Sequence, residues 1–170
     1  RKFAGDLGAL EEHQTPKHFQ TVKTYTNIAS LTLLGLLAVD EELKAIIETL
    51  EPGVHQFWEI TITMPKGVVY PKQYYGLRIG QFIDAFSPEQ SDPGSLRTEQ
   101  VNGRFSFSPA RYNKECMEGL AFNASMIGSS HLWREKKRLH SPNYFFSDTL
   151  HDEITRRALR MPPFYKLKAV

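Results

Sequence analysis

Cysteine is nearly missing from this chain. Cys116 stands alone, which excludes an internal disulfide and a multi-cysteine zinc site and fits a reducing compartment. Long hydrophobic runs are missing too: the most apolar stretch, Leu31 to Val39, is well short of the roughly 20 residues a membrane helix needs, so it reads as buried core. No basic-then-apolar leader of secretory type is visible, although a signal ahead of Arg1 stays open. The expected compartment is the cytoplasm, with no membrane partner. Charge of one sign is scarce as well, and a net charge of +2 argues neither for a nucleic-acid binder nor for an acidic mimic of one.

The common catalytic signatures are also lacking. There is no His-Glu-x-x-His pair for zinc, no glycine-rich phosphate loop ending in Lys-Ser or Lys-Thr, and no Gly-x-Ser-x-Gly elbow. Cys116 with His131 or His140 would make a nucleophile and base, but a lone cysteine beside Met117 reads better as core filling. Ser147, Asp148 and His151 crowd one helical turn, where capping and solvation account for all three. His13 and His18 sit five apart across Pro16, a spacing that shares neither a helix face nor a strand face. The expectation is a protein without catalytic residues, metal or cofactor.

What is present is enough apolar sequence, 41% of 170 residues, for one ordinary domain with a real core. Residues 1–24 are polar and aperiodic and read as a loosely ordered arm or a short helix; residues 25–170 read as a single α+β domain. The last third organises the reading. Ser147 is placed as a helix N-cap, with Leu150, Ile154, Ala158 and Met161 at one-face spacing and Pro162-Pro163 as the stop. Tyr165, Leu167 and Ala169 then alternate with Phe164, Lys166 and Lys168 as in a half-buried strand. Laying Asp40 on Ser147 without a gap superposes a second such unit: Leu43 on Leu150, Ile47 on Ile154, and Phe57 to Ile62 on Phe164 to Ala169. The expected fold is thus a largely antiparallel sheet with a few helices packed on it, and a candidate internal repeat of a helix-strand unit.

In chain order, Asn27 to Val39 is too densely apolar for periodicity to choose helix or strand. Asp40-Glu41-Glu42 loads acid onto a helix N-terminus, Leu43, Ile46, Ile47 and Leu50 form its buried stripe, and Glu41, Glu42, Glu48 and Glu51 make an acidic outer face. Trp58, Ile60, Ile62 and Met64 alternate as a strand ending at Pro65. Val68 to Tyr70 and Gln73 to Ile79 read as returning strands, with Phe82 to Phe86 extending the same meander. Ser87 to Gly103, rich in proline, glycine and asparagine, reads as one long surface loop, followed by a short strand at Phe105 to Phe107.

One compact basic patch stands out: Trp133 and Arg134, then Lys136, Lys137 and Arg138, with His140 just beyond. An aromatic beside cations suits single-stranded nucleic acid through phosphate neutralisation and base stacking. The same residues suit an acidic protein surface, where Trp and Arg are common energetic anchors. These five are the candidate protein-binding residues.

Several phrases in order resemble one family: Val39 to Leu43 running on to Leu50 through Phe57, Tyr74-Tyr75-Gly76-Leu77 to Asp84, Gly128 with His131-Leu132-Trp133-Arg134, and Phe145 to Leu150. It is a bacterial family first catalogued as a domain of unknown function and then grouped, as the eleventh immunity family, with the immunity proteins of polymorphic toxin systems. The resemblance spans residues 36 to 170. It implies an α+β domain that binds and blocks a cognate protein toxin rather than catalysing a reaction. The chain departs from the family pattern at Pro162-Pro163, where a glycine-containing turn is usual, and at Asp40, where serine is commoner. Both changes keep the caps and leave the contact surface open.

Overall fold

A computed structural model describes residues 8–136 and 144–170. In chain order the strands and helices are β1 (His18–Gln20), β2 (Leu31–Leu33), β3 (Leu37–Asp40), α1 (Glu41–Leu50), β4 (Gln56–Met64), β5 (Val68–Val69), β6 (Tyr74–Arg78), β7 (Phe82–Ile83), β8 (Leu96–Val101), β9 (Arg104–Pro109), α2 (Lys114–Glu118), β10 (Ala121–Phe122), α3 (Ala124–Ile127), β11 (Leu132–Glu135), β12 (Phe145–Phe146), α4 (Asp148–Arg156) and β13 (Lys168–Ala169). Helices and mixed, mainly antiparallel sheets make this an α+β protein. The chain divides into two compact units, residues 1–81 with 147–162 and residues 82–146 with 163–170.

The first unit is built on the sheet β1-β4-β6-β3-β2, with β5 also paired to β4. The undecided stretch before Asp40 is a β-hairpin, β2 antiparallel to β3, and every residue of β3 is buried. β3 and β4 both run antiparallel to β6, which lies between them. They are therefore parallel to each other, and α1 is the crossover of a split β-α-β unit rather than part of a simple meander. The alternation read in β4 holds: Ile60, Ile62 and Met64 join Ile28, Leu36, Ala38, Tyr70 and Tyr74 in one buried cluster, with Trp58 packed against it. On the other strand phase, Phe57 and Tyr75 lie beneath Lys44 of α1, whose Nζ sits 5.4 and 5.0 Å from their ring centroids.

Local sequence explains both long helices. Asp40 Oδ1 accepts the Leu43 N–H at 2.9 Å, and Ser147 Oγ accepts the Leu150 N–H at 3.2 Å, so the superposed positions are both N-caps. Leu43, Ile46 and Ile47 are buried on α1, as are Leu150 and Ile154 on α4. The repeat goes no further. α4 stops at Arg156, short of Met161, because Ala158 takes a left-handed φ of 52°. The Leu159 N–H then reaches Ile154 O at 3.1 Å and the Ala158 N–H reaches Thr155 O at 3.0 Å, the paired bonds of a Schellman stop. Where α1 leads into the nine-residue β4, the segment after Pro163 forms only the two-residue β13.

The second unit holds a three-stranded sheet β12-β11-β7, the hairpin β8-β9 and the pair β10-β13. Phe82-Ile83 does not extend the first sheet; it pairs in parallel with Arg134-Glu135 of β11. The expected long loop is shorter than its composition suggests. Its second half is β8, joined to β9 through Asn102-Gly103, both at positive φ, the two-residue turn that Asn-Gly favours. Ala85, Phe86, Leu120, Phe122, Trp133 and Phe145 form this unit's core.

Candidate protein-binding site

The five residues singled out by charge and aromaticity are not equivalent in space. Trp133 and Arg134 lie on β11, the middle strand of its sheet. Trp133 is only 4% exposed. Its ring stacks on Phe145 at 5.9 Å and 23°, and Phe145, Phe122, Phe86 and Phe107 continue the aromatic chain at 4.8, 5.4 and 5.7 Å between successive centroids. Trp133 therefore offers no open ring face to a base or a partner. Its Nε1–H is buried without a hydrogen-bond acceptor among the described residues.

Arg134 is half-buried and Lys136 is exposed. Lys137 and Arg138, with His140, lie outside the described residues. The strand beneath this charge is held firmly: Glu135 Oε2 accepts the N–H groups of Ala85 at 3.1 Å and Phe86 at 2.9 Å, and the Lys136 N–H donates to Ile83 O at 3.0 Å. A charge at Lys136 thus projects from a well-anchored strand end.

The groups that resembled catalytic parts are committed elsewhere. Cys116 is buried and sits in the first turn of α2, where Asn113 Oδ1 caps its N–H at 3.0 Å and its Sγ lies 3.8 Å from Gly94 O. Ser147 Oγ serves as the α4 cap, while His151 Nδ1 lies 3.2 Å from the exposed Asp152. Among the described residues, no three His, Cys, Asp or Glu side chains converge as a metal site would require. No helix among the described residues is long and apolar enough to cross a membrane.

One polar cluster escaped the sequence reading. Glu51, assigned above to the acidic outer face of α1, is instead buried at the helix C-terminus. Its Oε2 lies 2.8 Å from His55 Nε2, and its Oε1 accepts from Gln81 Nε2 at 2.6 Å. His55 Nδ1 accepts the Gly80 N–H at 3.2 Å, so Nε2 bears the ring proton and donates it to Glu51. A carboxylate-oriented imidazole is half of a general-base arrangement. Here the second ring nitrogen is already taken by backbone and the side chain is 0% exposed, so the dyad latches α1 to the start of β4 and the end of β6. The only hint in the sequence was the spacing of four between Glu51 and His55.

A second linked pair ties the cap of α1 to the β5–β6 connection. Asp40, buried, accepts from Lys72 Nζ at 2.7 Å through Oδ2. That hydrogen bond holds the Lys72 ammonium above its ordinary range. Nearby, the Tyr74 hydroxyl shares its proton between Ile28 O at 3.0 Å and Ala29 O at 3.1 Å, and burial pushes its pKa well above the usual tyrosine value.

In comparison with known proteins, the chain is similar over residues 8–169 to the family described as Immunity protein family, Imm11. No curated protein matches it.

Proposed function

The chain belongs to the Imm11 immunity protein family, and on that footing we propose that it binds a cognate protein toxin of a bacterial polymorphic toxin system in the cytoplasm and blocks it by surface complementarity, without catalysis. The family match over residues 8–169 carries this reading. It is supported by the fate of the conspicuous side chains. Cys116, Ser147, His55 and Glu51 are each bonded into the framework, which is what a protein acting through its exterior would show. Arg134 and Lys136, with Lys137 and Arg138 next in sequence, supply positive charge that would steer an acidic partner. A single-stranded nucleic acid is the weaker alternative, because the stacking platform it needs would have been Trp133, and that ring is covered.

Co-expression with the toxin encoded beside it tests the proposal. Cells producing both are expected to survive where cells producing the toxin alone die, and the purified complex should persist at nanomolar concentration. Equal killing with and without this chain overturns the reading.

A further inference from the structure

Several of the chain's exposed large apolar side chains collect at one end of the first unit's sheet, around the last residues of β4. The Thr21 N–H donates to Thr63 O at 2.9 Å, and the Tyr25 N–H lies 3.3 Å from Met64 Sδ, which brings residues 21–25 to one side of that strand end. On the other side, Val69 and Val68 of β5 pair with Thr63 and Met64. Val22 is 89% exposed, Val68 52%, Val69 59% and Tyr25 42%. Such grouping is unusual on a surface where exposed apolar residues are ordinarily scattered.

The charge carried by the two stretches that build this end is of one sign. No acidic residue occurs between Glu12 and Asp40, or between Glu59 and Asp84, the two stretches that build this end. Lys17 is paired with Glu12 and Lys72 with Asp40. Lys23 and Lys66 are exposed, and no ion pair reaches either among the described residues. The outer edge of β5 pairs with no strand among them either.

We infer that this sheet end, Val22, Lys23, Tyr25, Lys66, Val68 and Val69, is the anchoring surface for an acidic protein partner that presents apolar side chains of its own; the inference rests on the immunity reading and makes that partner the toxin. The valines have stiff β-branched side chains, and two of them sit on a paired strand, so little freedom is lost when they are covered. Two lysines complement an acidic rim and disfavour a basic one. A membrane is the poorer occupant: anionic lipid is recognised by clusters of about four to eight cations, and this end presents two that are unpaired.

The test uses the full chain and the purified toxin encoded beside it. Two double variants, Val22→Asp with Val69→Asp and Lys23→Glu with Lys66→Glu, are compared with the wild type for toxin affinity and for melting temperature. The side chains are exposed, so both variants are expected to melt with the wild type. The valine pair should weaken binding by about tenfold or more, and the lysine pair should weaken it with a shallower salt dependence. Wild-type affinity in both variants overturns the surface and leaves the immunity reading standing, whereas failure of the wild type itself to bind overturns both. If a variant melts early, Val22→Ser with Lys23→Gln replaces it and is judged by the same criterion. Binding of the wild type to vesicles of mixed phosphatidylglycerol and phosphatidylcholine, lost in the valine variant while toxin affinity is kept, reassigns the surface to lipid. A wild-type dimer in sedimentation that the valine variant dissociates, again with toxin affinity kept, reassigns it to a second copy of the chain.

Discussion

The indole of Trp58 lies directly over Gly76, its register partner on the neighbouring strand. A Cβ built at residue 76 would land on Cε2 and Cζ2 of the ring. The ring is held there because its Nε1–H donates to Pro16 O at 2.9 Å, so glycine at 76 is a steric requirement of the sheet. Gly76→Ala is expected to cost about 1–3 kcal/mol as overpacking. Chemical denaturation measures it, and the cost should shrink in a Trp58→Ala background, where nothing occupies the space. An equal cost in both backgrounds would break the proposed link.

The α4 start offers two graded losses. Ser147→Ala removes the oxygen that accepts the Leu150 N–H and should cost about 1 kcal/mol. Leu150→Ala empties a site that is 2% exposed and should cost roughly 2–5 kcal/mol. Thermal melts of the two variants should fall in that order.

The end of the same helix invites a gain. Ala158 is exposed and holds a left-handed φ of 52°, a conformation in which a Cβ is strained and glycine is not. Ala158→Gly should raise stability by about 0.5–1 kcal/mol, after allowance for the extra freedom of glycine in the unfolded chain. Urea unfolding at constant slope checks it.

Alkaline pH should loosen the first unit. The Tyr74 phenol is held above its ordinary value of 10.0 by burial, and the Lys72 ammonium above 10.5 by its bond to Asp40. Both folded groups keep their protons longer than their unfolded counterparts. Their contribution is therefore complete below about pH 10 and declines as pH rises beyond that point. Tyr74→Phe should flatten part of this decline. It should also lower stability at neutral pH by about 1–3 kcal/mol, because Ile28 O and Ala29 O lose their shared donor. Melting temperature against pH for both proteins separates the two effects.

Trp133 should reveal itself as framework. Trp133→Ala opens the aromatic core and is expected to cost about 3–5 kcal/mol, seen as loss of near-ultraviolet circular dichroism. Lys136→Glu, on the exposed residue three positions later, should leave the melt within about 0.5 kcal/mol of wild type.

Short-range physics was readable directly from the chain. A cap reaches its own N–H three residues on, and a helix or strand face repeats within a few residues, so Asp40 with Leu43, Ser147 with Leu150, and the alternation from Trp58 to Met64 declared themselves. The Asn102-Gly103 turn was equally local; the proline and glycine around it disguised it as loop. The family phrases were legible for the same reason, since most of them are caps, turns and strand ends.

Contacts between distant segments were decided only by tertiary folding. Glu51 turned inward because Gln81, thirty residues away, and the His55 ring completed its hydrogen bonds. Phe82-Ile83 left the first sheet because β11 offered an edge fifty-two residues downstream. The Trp133 ring, conspicuous beside its cations, was claimed by Phe145 and the aromatic core around it and never reached the surface. A residue's neighbours along the chain set its backbone preference, but whether its side chain meets water depends on which remote elements close over it, and that is a property of the assembled packing.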